Sequence, residues 1–93
     1  MKMKFRQRKK NIRKFLFLKR KSWIGKGVQY IYQFDNGNMV SVLKFEVSAR
    51  GVKWGSHGAN LGLYELADIR EGDVLGYLTQ KDVIKHLERI SRR

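Results

Sequence analysis

The chain has 93 residues, of which 21 are Lys or Arg and 8 are Asp or Glu, so its formal net charge is +13 at pH 7. This length suits one small domain, and the absence of cysteine excludes a disulfide scaffold, a thiolate zinc site and a catalytic thiol. The longest apolar run spans only residues 15–18, far short of the roughly 20 residues that a membrane-spanning helix needs.

The positive charge is concentrated at the start of the chain. Residues 1–27 contain twelve cations and no acid, whereas residues 28–93 contain nine cations and eight acids. We therefore divide the chain into a basic N-terminal arm over 1–27 and a nearly neutral domain over 28–93. Within the arm, residues 4–14 are compatible with a helix. The apolar run at 15–18 suits either a helix or a strand, because periodicity does not assign short apolar runs.

The clearest local pattern is a pair of β-rich runs, residues 28–34 and 39–45, on either side of the Asn-Gly dipeptide at 36–37. Asn-Gly is typical of a two-residue type I′ turn, in which both residues have positive φ. Such a turn pairs Phe34 with Met39. Strand alternation then predicts a core face made of Val28, Tyr30, Tyr32, Phe34, Met39, Leu43 and Phe45.

The rest of the domain predicts a loop, a strand and a helix. Glycines are frequent over residues 50–62, which indicates a loop, and residues 61–69 suit a third strand. A helix is predicted over 80–91, with Thr79 as its N-cap and Asp82 at its third position. Its apolar stripe is Val83, Ile84, Leu87 and Ile90. The expected fold is α+β, with a small antiparallel sheet of about three strands, the C-terminal helix packed on one face, and the basic arm.

Three segments of the domain carry a family resemblance. They are YQFDNG at 32–37, GLYELA at 62–67 and DVLGYLT at 73–79. Together they resemble a family of short bacteriophage-genome proteins with an F-D-N-G hairpin, a G-L-(Y/W)-E-L-A strand and a D-V-x-G-(Y/W)-L-T helix start. Members usually carry Tyr-Gly after Asn-Gly, where this chain has Asn38 and Met39. The resemblance implies a phage accessory protein without an assigned activity, located in the host cytoplasm, and it does not extend to the basic arm.

The composition of the arm favours a polyanionic partner. Lys and Arg release counterions when they neutralise phosphates, and interleaved aromatic residues stack on unpaired bases. An anionic membrane fits less well, because the arm lacks a clean apolar face. No groove-reading motif is present, so the pattern does not separate RNA from DNA. The candidate nucleic-acid-binding residues are Lys2, Lys4, Arg6, Arg8, Lys9, Lys10, Arg13, Lys14, Lys19, Arg20, Lys21, Trp23 and Lys26.

The remaining candidates for chemistry are few. The glycine-rich segment 55–62 lacks the Lys-Ser/Thr ending of a nucleotide-binding loop and precedes a predicted strand, so it fits better as a loop that presents Trp54 and His57 to a partner. Neither His57 nor His86 has a neighbour at metal-ligand spacing. We therefore expect no enzyme activity, no cofactor and no metal.

These observations lead to one main hypothesis and two alternatives. The main one is a phage-type accessory protein of the cytoplasm that binds nucleic acid or a nucleoprotein complex through its cationic arm. The first alternative is a counter-defence or host-takeover inhibitor, for example one that resembles an anti-CRISPR protein, acting by occlusion of a host protein. The second is a structural protein of a virion or ribosome. A homo-oligomer is compatible with all three, because so small a domain buries little surface.

Overall fold

The computed structural model describes residues 5–21 and 25–93. They form two α-helices, a short 3₁₀ helix and one antiparallel sheet of six strands. The helices are α1 (Phe5–Arg13) and α2 (Gln80–Ser91), and the 3₁₀ helix is Ala59–Leu61. The strands are β1 (Leu16–Lys21), β2 (Lys26–Gln33), β3 (Met39–Ala49), β4 (Val52–Gly55), β5 (Tyr64–Asp68) and β6 (Asp73–Leu78).

The sheet is larger than expected, although the fold is α+β. Its order is β1-β2-β3-β5-β6, and β4 pairs with the second half of β3. The prediction of about three strands, with the C-terminal helix as the one helix named in the fold, is therefore wrong: the described residues form six strands and two α-helices. The reason lies in exposure: β4 is exposed along its whole length, and only the first residue of β1 is partly buried. Such edge strands carry no alternation of buried and exposed side chains for the sequence to show.

Residues of the predicted arm contribute to this fold. Helix α1 accounts for the helical pattern seen in residues 4–14, and most of the ambiguous apolar run belongs to β1. Ile12 is only 4% exposed, and Phe5 and Phe15 pack against the core. Part of the cationic segment is therefore a folded layer of the domain.

The hairpin between β2 and β3 exists, but its predicted register is wrong by one residue. The Gly37 N–H donates to the Phe34 carbonyl at 3.0 Å, and the Phe34 N–H donates to the Asn38 carbonyl at 2.9 Å. The loop therefore has three residues, with Gly37 at a φ of 86°, and Tyr32 pairs with Val40. A one-residue shift exchanges the two faces of a strand. Three residues predicted for the core face therefore lie on the opposite face: Met39, Leu43 and Phe45.

The loop register is explained by contacts with distant residues. The Asn36 side-chain amide donates to the carbonyls of Ile90 and Arg93, at 2.9 and 2.8 Å, and thereby caps the end of α2. The positive-φ pair expected here occurs instead at Arg50 and Gly51, with φ of 51° and 78°, where two residues connect β3 to β4.

Both helices pack on one face of the sheet, and the core lies between the layers. The prediction for α2 is confirmed in both extent and capping: Thr79 Oγ1 accepts from the Asp82 N–H, and Asp82 Oδ2 accepts from the Thr79 N–H. The buried core residues are Ile12, Phe34, Val40, Val42, Leu66, Leu78, Val83, Ile84, Leu87 and Ile90. Neither described helix is long and apolar enough to cross a membrane.

Candidate nucleic-acid interface

The described cations of the N-terminal segment lie on α1, in the turn that follows it, on β1 and at the start of β2. We define the basic surface as the described cations among the first 26 residues, all exposed except the half-buried Arg8. Its members are Arg6, Arg8, Lys9, Lys10, Arg13, Lys14, Lys19, Arg20, Lys21 and Lys26. Three further predicted binding residues, Lys2, Lys4 and Trp23, lie outside the described residues.

Only one cation of the basic surface has an acidic partner within the described ranges. Arg8 Nε donates to Glu88 Oε1 at 3.0 Å, and this hydrogen bond raises the pKa of the Arg8 guanidinium. No other member has an Asp or Glu oxygen of residues 5–21 or 25–93 within 4.0 Å. Their charge is therefore left for solvent ions or for a partner to neutralise.

The charge on α1 opposes the formation of that helix. Arg6 and Lys10 are four residues apart, as are Lys9 and Arg13, and the first turn contains no acid. Like charges at this spacing each cost about 0.2–0.5 kcal/mol, and cations near a helix N-terminus also oppose the helix dipole. A polyanion bound along α1 would remove this repulsion.

A cavity of about 240 Å³ lies between α1, the first turn of α2 and the sheet. We call it the tyrosine cavity, because three tyrosines line it: Tyr30, Tyr32 and Tyr64. Its apolar lining consists of Ile12, Leu16, Val42, Val83 and Ile84. Its polar lining consists of Lys9, Arg13, Lys19 and Gln80. The cavity therefore combines aromatic rings, an apolar floor and three members of the basic surface.

Cations already contact two of the three tyrosine rings. Lys19 Nζ lies 5.6 Å from the centroid of the Tyr30 ring, and Lys44 Nζ lies 4.9 Å from that of Tyr64. These distances are within the range of a cation–π attraction. Tyr32 is more enclosed: burial raises the pKa of its hydroxyl, and the neighbouring Tyr30 adds to that shift. The rings thus lie at the boundary between the core and the positively charged rim.

The structure divides the predicted binding residues between surfaces. Lys9, Arg13 and Lys19 meet at the tyrosine cavity. Arg20 is on the other face of the sheet, where its Nε donates to Gln29 Oε1 at 2.7 Å. Arg6 and Lys10 are exposed on α1 and do not line the cavity.

The tyrosine cavity is not among the sites predicted from the sequence. Tyr30 and Tyr32 were assigned to the core face of the hairpin, and Tyr64 was given no role. A signal was present, since tyrosine at alternate positions of a strand supplies an apolar ring together with a polar tip that needs water or a partner. No local pattern contains the convergence of two helices and four strands, α1, α2, β1, β2, β3 and β5, around one space.

The two predicted partner-binding residues, Trp54 and His57, are exposed. Trp54 is 50% exposed, and its ring meets Phe45 edge-on with centroids 6.1 Å apart. The His57 side chain is 66% exposed and stacks on Tyr77 at 6.5 Å. A Cβ added at Gly76 would lie 2.4 Å from the His57 Cβ, so this stack requires glycine there. Cross-strand pairing places Trp54 on the sheet face opposite the tyrosine cavity.

Asp68 is the one buried acidic side chain among the described residues. Within the described part of the chain, no group of three or more His, Cys, Asp or Glu side chains could hold a metal ion. Asp68 is buried, which alone would raise its pKa. Hydrogen bonds from Arg93, at 2.7 Å, and from the Glu71 N–H outweigh burial and hold that pKa below its usual value. Asp68 is therefore engaged in anchoring the end of the chain.

Comparison with protein-family models, with curated proteins and with solved structures finds no match for this chain. The resemblance to the phage-genome family therefore has no support from these comparisons.

Proposed function

We propose that this chain is a small basic accessory protein that binds nucleic acid, or a nucleoprotein complex, through the cations of its N-terminal segment. The observation that carries the proposal is the unpaired basic surface: ten described cations, of which Arg8 alone has an acidic partner among the described residues. Such a surface gains free energy from a phosphate backbone, because each neutralised phosphate releases condensed counterions.

The arrangement of charges on α1 favours binding of a polyanion over a role in keeping the protein soluble. A surface that serves only solubility has no need to place like charges at helical spacing without intervening acids. An anion that lies along α1 would relieve the repulsion between Arg6 and Lys10. The helix is held by few contacts of its own, with Ile12 as its single buried residue.

Charge substitution tests this proposal better than truncation does. Deleting residues 1–27 would remove Ile12 from the core and strand β1 from the sheet, so a loss of binding would not separate charge from folding. We would instead replace three exposed cations with glutamine, in the variant Arg6→Gln, Lys10→Gln, Lys14→Gln. A matched control replaces three exposed cations elsewhere, in Lys53→Gln, Lys85→Gln, Arg92→Gln.

The measurement is affinity for a labelled oligonucleotide as a function of salt concentration. For the intact chain, affinity should fall steeply with salt. The first variant should lose at least about ten-fold in affinity at physiological salt, with a log–log slope shallower by about 2–3. The control should lose much less. Salt-independent binding, or an equal loss in the two variants, would refute the assignment to this surface.

A second candidate function has its own observation. Trp54 and the stacked pair His57–Tyr77 are exposed aromatic groups, and aromatic residues are enriched in protein interfaces. They favour an inhibitor that occludes a host protein. Its test is a complex that survives nuclease, is lost in Trp54→Ala and is retained in the variant Arg6→Gln, Lys10→Gln, Lys14→Gln. A complex that nuclease dissolves contradicts this second function.

A further inference from the structure

We infer that the tyrosine cavity captures one unpaired nucleobase, so that the protein prefers single-stranded to double-stranded nucleic acid. The inference rests on the proposed function and deepens it, since it names the form of nucleic acid that the basic surface accepts. The observations that support it are the position, size and lining of the cavity. The number of cations on the basic surface does not enter.

The size of the cavity suits a single flat group. At about 240 Å³ it is smaller than the roughly 300–1,000 Å³ of pockets that enclose drug-sized molecules. The floor is apolar, formed in part by Val42, Val83 and Ile84. A planar aromatic base can lie against such a floor, while its sugar and phosphate remain outside at the rim.

The lining supplies both interactions that a nucleotide needs. Tyr30 and Tyr64 line the cavity and supply aromatic rings, and stacking on such rings tolerates any base because every base has a π-face. Lys9, Arg13 and Lys19 are positioned at the same space to neutralise the attached phosphate. An incoming nucleotide would draw the Lys19 ammonium from the Tyr30 ring to the phosphate and leave the ring for the base.

The same geometry disfavours a duplex. Paired bases are stacked inside a double helix, and only its phosphates are within reach of a surface cavity. A base must be unpaired before it enters a pocket, and extracting one from a duplex costs a few kcal/mol. The basic surface alone would bind single and double strands through charge. The cavity adds binding free energy from stacking, which only an unpaired base can supply.

The test compares three probes with the full chain at one salt concentration. They are a single-stranded oligonucleotide of about twelve residues, an abasic phosphodiester of the same length, and the corresponding duplex. The intact chain should bind the base-containing single strand about five- to 150-fold more tightly than the abasic strand, as expected for stacking of one base. The duplex should bind more weakly than the single strand. These comparisons need no variant, so they hold even if a substitution impairs folding.

Substitutions then locate the preference. Tyr30→Leu and Tyr64→Leu keep apolar side chains in the core but remove the rings, and they should lose most of the preference for bases. Their salt dependence should stay close to that of the intact chain. Trp54→Leu, on the opposite face, is the matched control and should keep the preference. Lys19→Gln should weaken binding of the base-containing and abasic strands alike and lower the salt slope by about one.

The outcomes separate the two proposals. Equal affinity for base-containing and abasic strands, or tighter binding of the duplex, overturns base capture and leaves charge-driven binding intact. Preserved base preference in both tyrosine variants also overturns it, because the bases are then held elsewhere. If none of the three probes shows salt-dependent binding, the proposed function fails, and base capture fails with it.

Discussion

The two helices lie on the same face of one sheet but are built differently. Helix α2 has a complete capping box, an acid in its first turn and four buried side chains. Helix α1 has no acid in its first turn, five cations in nine residues and one buried side chain. The first set of features stabilises a helix locally, and the second opposes it. The difference indicates that α2 holds the domain together, while α1 presents charge.

The surroundings of the helices extend this contrast. The end of α2 is fixed by the amides of Asn36 and Asn38, which donate to the Ile90 carbonyl, and by the bond from Arg93 to Asp68. From α1, the Arg8 guanidinium donates two hydrogen bonds to Glu88 Oε1 on α2. A helix fixed at both ends resists separation from the sheet, whereas α1 depends on Ile12 and its partly buried neighbours. The stability of the domain should therefore respond far more to changes in α2.

The largest expected effect comes from the core side chains of the two helices. Leu87→Ala in α2 should lower the free energy of unfolding by about 3–5 kcal/mol, because Leu87 is fully buried between helix and sheet. Ile12→Ala in α1 should cost about 2 kcal/mol, because the cavity beside it lets the site relax. Urea unfolding followed by circular dichroism measures both. Equal losses would show that α1 is as deeply integrated as α2, and the contrast would fail.

The next largest effect on stability concerns the hydrogen bond from Arg93, beyond the end of α2, to Asp68, and it depends on pH. Asp68 is 5% exposed at its side chain, and Asp68→Asn should cost about 1–3 kcal/mol at neutral pH. The folded pKa is lowered, so this contribution is present above the unfolded pKa of about 3.9 and is lost as the pH falls through the lower folded value. Unfolding curves of the variant and the intact chain should converge in that acidic range. Asp35→Asn, in the exposed hairpin loop, is the control and should change little; a constant difference at all pH values would contradict the ionic origin.

A smaller effect is expected at the N-terminus of α2. Thr79→Ala removes the hydroxyl that accepts the Asp82 N–H and should cost about 1 kcal/mol. Thr79→Ser retains the hydroxyl and should recover most of that loss. Thermal unfolding of the three proteins measures the difference. If serine does not recover the stability, the methyl group of Thr79 matters and the cap does not.

The same contrast explains how much of the molecule the sequence could predict. Helix α2 was predicted to the residue because its signals are local: the cap spans Thr79 to Asp82, and the apolar stripe repeats within the helix. The hairpin register was not predictable from Asn36 and Gly37, because Asn36 bonds to the end of α2, more than fifty residues away. Strands β1 and β4 show no alternation of buried and exposed side chains. They join the sheet through backbone pairing, and almost all of their side chains are exposed. The basic surface was visible in the composition, whereas the tyrosine cavity forms only where six elements meet.

The smallest expected effect is a gain in the free energy of unfolding, whereas the substitutions above lower it. The double variant Arg6→Gln, Lys10→Gln removes a repulsive pair from α1 and should raise the free energy of unfolding by about 0.2–0.5 kcal/mol at low salt. The gain should shrink as salt is added, because at about 0.1 M ionic strength the screening length is only about 10 Å.

The same double variant should bind oligonucleotides more weakly, so its stability and its affinity move in opposite directions. Lys53→Gln is the control, because it removes an exposed cation that lies outside both helices and should change both quantities less. Chemical unfolding and oligonucleotide titration in the same low-salt buffer provide the two readouts. A loss of stability together with affinity would show that these cations support the helix. The opposite signs would show that α1 keeps a destabilising charge pattern because the pattern serves binding, which is the difference between α1 and α2 in its most direct form.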